Sequence, residues 1–536
     1  MITIPALFSV DSYKLGHADQ YPKGTQCVYS NFTPRSLKHF KVPEDFTNDT
    51  IIAYGMYDAI CEIVDTFDST FFSKPIDFIL EEVQALYPSF TGTSDFNYER
   101  IRTLHAYGRL PLNFAALPEG AHVMPQIPVL VVSNTKPEFF WLTNFIETWL
   151  SNILWKPMVS ATISWNYRQI LEYYADYTGS DPAFVDWQAH DFSLRGMSGM
   201  EDGARTGVGH LLSFTGSDNV AAAWYAKQKY QVEPGELVAG SVPATEHSVM
   251  SCGSRLNELE TFRRLITEVY PTGIVSIVSD TWDFWQVVTN YADDLADTIT
   301  ARDGKVVFRP DSGNPVDIIC GTALGFDSSW ERLADRYFAP GCYKDTSTGT
   351  FFNKDAKGSV TKILNPTAEM KGAVECLWEI FAGTTTSTGH RLLDSHVGLI
   401  YGDSITMDRA NQILQRLADR WYASGNIVLG IGSYTFQYVT RDTIGAAMKA
   451  TYAEVDGVSV DLYKDPATDP GKCSATGRLR VSLDGDNNYV VEDQQPWFDG
   501  GELYPILLDG YMVTPRPKLS EMRQRVREGN SYDSEQ

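Results

Sequence analysis

Apolar and polar positions follow two different rhythms along the chain. In the first part, roughly 1–150, apolar residues return at helical spacing in IIAYGMYDAICEIVDTFD (51–68) and PEFFWLTNFIETWLSNILW (137–155), which predicts a helix in each. The second is so aromatic that burial on more than one face is expected, as in a subunit interface. From about residue 180 short apolar runs end abruptly in polar, glycine-containing turns, and helical stretches follow. FVDWQAHDF ends at His190, Asp191 and Phe192; ELVAGSVPATEHS ends around Glu246 and His247; GIVSIVSD ends at Asp280. KVVFRPDSG ends at Arg309, Asp311 and Gly313; VGLIYGDS ends at Gly402 and Asp403; NIVLGIGS ends at Gly430, Gly432 and Ser433. Strands this continuously apolar are covered on both faces, which predicts parallel βα units. Ligands in such folds sit where the C-terminal strand ends converge, so the six ends are read as one active-site ring.

Between Ile319 and Leu392 the rhythm lapses. YKDTSTGTFFNKDAKGS (343–359) and AGTTTSTGH (382–390) predict an extended βα insertion with loops, near 320–390. The closing PRPKLSEMRQRVREGNSYDSEQ reads as a charged segment with a frayed tail. The expected division is a mixed part over 1–150, an α/β barrel over 151–450 and a C-terminal part over 451–536.

A length of 536 residues holds such a barrel, ~250 residues, with additions. The net charge of −24 argues against nucleic acid or an anionic membrane as partner. An anionic substrate would need a local Arg and Lys cluster that overrides the global field. The seven cysteines are scattered with no CxxC pair, which suggests reduced thiols and a cytoplasmic setting. The N-terminus does not read as a signal peptide, and no apolar run approaches the ~18 residues of a membrane span.

RPDSGNP (309–315) places Arg309 and Asp311 two apart at a strand end, where both can face a pocket. The guanidinium suits a phosphate or a carboxamide oxygen, and the carboxylate suits ribose hydroxyls. The alternative is a surface ion pair in a turn. Glycines in YGDS (401–404) and GIGSY (430–434) can open backbone N–H groups to phosphate, although such turns are common. Neither GxxxxGK[ST] nor GxGxxG occurs. His247 is either structural or a base or phosphate acceptor, and Asp280 at the next strand end could orient it. Phe192, beside Arg195 in HDFSLRG, either fills the core or stacks on a flat ring. Asp218, in TGSDNV, would by default cap the helix that follows. Positive charge is available from Arg35, Arg195, Arg309, Arg441, Lys449, Lys464 and Lys472, each of which could equally be a solvated surface charge.

DSYKLGHADQYP (11–22), PEFFWLTNFIETWLSN (137–152), HDFSLRG (190–196), FTGSDNV (214–220), SVPATEHS (241–248), VSDTWD (278–283), RPDSGNP (309–315), YGDS (401–404), TRD (440–442) and YKDPATDPGK (463–472) occur in this order. Together they resemble the nicotinamide phosphoribosyltransferase family, over about residues 11–480. The resemblance implies a type II phosphoribosyltransferase fold: a (β/α) barrel with an additional mixed α+β domain built from the N-terminal and C-terminal parts. It implies a homodimer with shared active sites, nicotinamide and phosphoribosyl pyrophosphate as substrates, ATP as co-substrate, and Mg²⁺.

The resemblance also implies roles. Nicotinamide would lie between Phe192 and Tyr13 of two subunits, its amide on Asp218 and near Arg309, with Asp11, Ser241, Val242 and Ser276 in the same site. Arg195, with Arg35, Arg441 and Lys449 across the interface, would hold phosphate or pyrophosphate. Asp311, Gly402 and Asp403 would hold the ribose and its 5′-phosphate, with Gly432 and Ser433 nearby. His247 would be phosphorylated by ATP and oriented by Asp280, and Lys464 and Lys472 fit a loop over the phosphates. The chain departs from the family pattern at GIGSY, where more consecutive glycines are usual, at Ala447, where a serine is frequent, and in the long 320–390 segment. A nicotinate phosphoribosyltransferase, an inactive relative acting in binding or signalling, and an unrelated barrel lyase remain as rivals. The lyase would need a Schiff-base lysine that none of the six strand ends carries.

Overall fold

In the computed structural model, residues 3–93, 96–326, 338–402, 404–463, 475–495 and 499–531 are described. Five strands form one parallel sheet: β1 (Ala189–Asp191), β2 (Thr272–Val278), β3 (Asp303–Arg309), β4 (Val397–Tyr401) and β5 (Ile427–Ile431). Their order is β1-β5-β4-β3-β2, with every pairing parallel. Isolated bridges continue the ring from β1 back to β2, through Asp191 with Ser217, Gly216 with Gly240, and Ala244 with Ser276. Val275, Ile277, Val306, Phe308, Leu399 and Leu429 are all buried, as strands covered on both faces require.

Two of the six expected strands are mostly something else. FVDWQAHDF is a helical turn at Val185–Gln188, with only Ala189–Asp191 in the sheet. Its start is set by Asp181, whose side chain accepts the Ala183 N–H, and by Pro182 in the first helical position. ELVAGSVPATEHS forms no strand, and its β-bridges to the ring are confined to Gly240 and Ala244. Pro243 lacks the N–H that a regular ladder needs, yet its carbonyl still accepts the Ser276 N–H at 2.8 Å.

A seven-stranded antiparallel sheet lies beside the ring and draws on both ends of the chain. Its order is Val458–Asp461, Ala447–Val455, Thr25–Thr33, Leu130–Asn134, Leu112–Ala116, Tyr504–Leu508 and Tyr511–Met512. Within it Asn31 stands opposite Lys449.

The two predicted helices form with different limits. In 51–68 the residues Ile51–Ala53 are a strand, and the helix runs Met56–Phe67 after Gly55, whose φ of 98° a side chain disfavours. In 137–155 a turn and a one-turn helix precede α1 (Glu147–Thr178), which continues far past the expected end, through Pro157, to stop at Gly179 with φ 66°.

The 320–390 insertion is more ordered than its loop-rich composition suggests. Leu324–Phe326, Gly341–Asp345, Phe351–Lys354 and Val360–Ile363 make a four-stranded sheet with a small core of Phe326 and Tyr343. Buried Glu375 ties it to the barrel, 2.7 Å from Lys344 Nζ and bonded also to Arg420. The C-terminal segment is regular before its end, and the expected frayed tail, 532–536, lies outside the described residues. Leu519–Glu528 is a helix with Leu519, Met522 and Val526 buried, and Arg523 donates to the carbonyls of Leu211, Leu237 and Val238. No helix among the described residues is long and apolar enough to cross a membrane. The six described cysteines are free.

Candidate active site

The polar residues at the strand ends meet in two hydrogen-bonded groups. Asp218 lies just past the bridge at Ser217, its N–H on the Asp191 carbonyl at 3.0 Å. Capping of the next helix falls to Asn219, whose side chain accepts the Ala222 N–H at 3.0 Å, so the Asp218 carboxylate is left for other work. His190 Nε2 donates to Asp218 Oδ1 at 2.9 Å, and Ser241 Oγ donates to the same oxygen. Burial pushes the Asp218 pKa up, but the His190 and Ser241 hydrogen bonds and the charges of His190 and Arg309 outweigh it. The net shift is downward, so the group is an anion at neutral pH. The Phe192 ring packs against His190 with centroids 4.7 Å apart. Val242 follows Ser241 directly, and Ser276 lies across the bridge from Ala244, its buried hydroxyl without a protein partner.

The second group surrounds His247. Its Nε2 donates to Asp311 Oδ1 at 3.2 Å, and its Nδ1 lies 3.1 Å from Thr281 Oγ1. Asp280 is 3.9 Å from Nε2, beyond hydrogen-bond reach. The hydrogen bonds on the His247 ring are thus made with Asp311 and Thr281 and not with Asp280. Asp280 instead accepts the Asp311 and Ser312 N–H groups, both at 2.9 Å, and shapes the turn after β3. One carboxylate oxygen of Asp280 is buried and accepts no hydrogen bond, and Asp280, Asp311 and His247 offer ligand atoms within 4.8 Å of one another. Arg309 links the two groups. Its guanidinium donates to the Thr245 carbonyl and feels the charges of Asp311, Asp218 and Asp280. Burial lowers its pKa and Arg195 adds to that, while the three carboxylates oppose it. Gly402 packs so closely here that a Cβ would lie 3.2 Å from that of Asp311.

Gly432 and Ser433 follow β5, and the turn bearing exposed Arg195 lies against them: a Cβ on Gly196 would collide with Ser433. Asp403, Lys464 and Lys472 lie outside the described residues.

The remaining predicted residues form a separate patch on the antiparallel sheet and the start of the chain. Thr148 Oγ1 donates to Asp11 Oδ2 at 2.8 Å, and Tyr13 is 59% exposed with its ring edge-on to His17. Arg35 Nε donates to the Gly445 carbonyl at 3.0 Å. Burial first, then the repulsion of Arg35, Lys14 and Arg441, lowers the Lys449 pKa against the pull of Glu147. Arg35, Arg441 and Lys449 thus share one patch with Lys14, whose charge Glu147 pairs at 2.6 Å. No ring contact joins Tyr13 to Phe192 within the chain among the described residues.

The family model for the nicotinate phosphoribosyltransferase (NAPRTase) family matches residues 187–499, the span that carries both groups around the ring. A nicotinamide phosphoribosyltransferase of Acinetobacter baylyi is 45% identical over 98% of this chain and 97% of its own length. The chain belongs to the nicotinate phosphoribosyltransferase family. A second relative, the nicotinamide phosphoribosyltransferase of Mycoplasma pneumoniae, is 29% identical over 88% of the chain and 95% of its own length. The human nicotinic acid phosphoribosyltransferase structure covers 97% of the chain and 93% of its own at 16% identity and TM-score 0.48, too remote to bear on function.

Two residues of this geometry, His190 and Thr281, were not among those singled out from the sequence. His190 was visible as a strand-end histidine, but only the fold brings it to Asp218. Thr281 carried no sequence signal, since its partner His247 lies on another element.

Proposed function

We propose that this chain transfers a phosphoribosyl group from phosphoribosyl pyrophosphate to the ring nitrogen of nicotinamide, releasing pyrophosphate, in the cytoplasm. The ionised Asp218 beside Phe192 carries the reading. A flat uncharged base stacks on Phe192 and donates its amide N–H to Asp218, while Arg309 reaches the amide oxygen. Nicotinate would bring a second carboxylate to Asp218 and be repelled, and the two relatives named for the amide substrate support the same choice. The ring nitrogen is a weak nucleophile, so its alignment with the anomeric carbon supplies rate by proximity. Asp311 and Gly402 take the ribose side. Positive charge develops on the sugar as the C–O bond to pyrophosphate breaks, and Arg195 neutralises the leaving group.

A divalent cation would offset pyrophosphate charge when bound. Asp280 and Asp311 fit that need, because the unpartnered Asp280 oxygen is free to act as a ligand. His247 stands half exposed with Asp311 on one nitrogen and Thr281 on the other, a position suited to accepting a phosphoryl group from ATP. The cation patch of Arg35, Arg441 and Lys449, with Tyr13 beside it, suits the second wall of a site completed in a homodimer. The deciding experiment supplies phosphoribosyl pyrophosphate with nicotinamide or nicotinate, each with and without ATP. Nicotinamide mononucleotide is the expected product, and preferential use of nicotinate would overturn the reading.

A further inference from the structure

The turn that carries Arg195 has little regular structure of its own. Residues 195–199 are mostly exposed, and the turn makes only short local backbone bonds, Gly196 N–H to the Ser193 carbonyl and Met197 N–H to the Leu194 carbonyl. One side chain from the segment after β5 fastens it. Gln437 Nε2 donates to the Gly196 carbonyl at 3.1 Å and to Ser198 Oγ at 3.0 Å. Gln437 Oε1 accepts from Lys156 Nζ at 2.8 Å, and Lys156 is buried in α1. Lys156 is in turn held by Asp202 at 2.6 Å, and Asp202 accepts the Ser198 N–H at 3.0 Å. The loop of bonds is closed through Asp202, on the helix Met200–Leu211 that follows the turn: Gln437 holds the turn and Lys156, Lys156 holds Asp202, and Asp202 holds the turn. Opposite Gln437, Gly196 leaves no room for a side chain against Ser433.

We propose that Gln437 is a positioning residue for phosphoribosyl pyrophosphate, fixing the Arg195 turn against the segment that follows β5. This rests on the reading above, in which Arg195 meets the leaving group. Gln437 itself touches no substrate. A flexible Arg195 costs affinity for the anionic substrate, because the turn must be ordered at binding. The base side is held by separate bonds through His190, Ser241 and Asp218, so nicotinamide binding is spared.

The test is steady-state kinetics and pyrophosphate product inhibition on Gln437→Met and, independently, Gly196→Ala, which displaces the turn while leaving Gln437 intact. Each variant should raise the KM for phosphoribosyl pyrophosphate and the inhibition constant of pyrophosphate about tenfold, with the nicotinamide KM within about twofold. A merely structural defect would shift both substrates together. Equal shifts in the two KM values, or no shift in a folded Gln437→Met protein, would overturn the assignment. If that variant does not fold, Gly196→Ala decides alone by the same criterion. Wild-type protein that turns over no phosphoribosyl pyrophosphate would instead refute the functional reading itself.

Discussion

Replacing Asp218 by Asn keeps shape and removes one charge. The Asn oxygen can still accept from His190 and Ser241, so the group around it should persist. What disappears is the repulsion of a nicotinate carboxylate. For carboxylates about 4 Å apart that term is about 4 kcal/mol at an effective dielectric of about 20 and about 1 kcal/mol in bulk water. The Asp218 side chain is 41% exposed. An intermediate value of about 2–3 kcal/mol follows, a change of roughly 30- to 150-fold in relative preference. The assay is kcat/KM for nicotinamide and nicotinate on wild type and Asp218→Asn at neutral pH. Most of the change should come from faster use of nicotinate. Because the Asp218 pKa lies below its usual value, wild-type discrimination should persist at neutral pH and above, and fade only as acid protonates the group. A preference ratio that moves less than about threefold would remove the charge from the account of specificity.

His247→Ala should leave basal transfer measurable and abolish stimulation by ATP, read as product formed with and without nucleotide; undiminished stimulation would exclude a phosphohistidine there. Tyr13→Ala and Phe192→Ala proteins should each be poor, and mixing them should restore activity toward one intact site per dimer, measured after subunit exchange. Activity that stays at the single-variant level would count against a shared site. Glu119 is buried, and burial raises its pKa from 4.5 to about 7 against the Gly55 and Tyr57 N–H groups that it accepts. A carboxyl raised in the fold contributes stability that is present below 4.5 and lost as pH climbs to about 7, on the order of 3 kcal/mol. Urea midpoints at acid and neutral pH should therefore fall less steeply in Glu119→Gln than in wild type.

The parallel strands were legible because a strand covered on both faces leaves an unbroken apolar run, as in GIVSIVSD and NIVLGIGS. The stretch 236–248 has the same composition, but Pro243 interrupts the ladder, and only its bridges to Gly216 and Ser276 put it in the ring. In the insertion βα character was legible but the individual strands were not, because each is only three to five residues long. The closing helix was present in the spacing of Leu519, Met522 and Val526, but the surrounding charges masked it. At the site, residue types pointed to the chemistry, whereas partner choice did not follow from order along the chain. His247 pairs with Asp311 rather than Asp280 because the turn after β3 folds back over the Asp280 carboxylate.

The antiparallel sheet has a consequence for how the molecule is made. Its inner strand Thr25–Thr33 emerges early from the ribosome, yet its neighbour Ala447–Val455 is synthesised hundreds of residues later, and Tyr504–Leu508 later still. Until then the early strands expose unpaired edges, while the ring between them can already close. Loss of the last strands by premature termination would leave a nearly complete barrel attached to half a sheet, a species prone to aggregate rather than a smaller working enzyme.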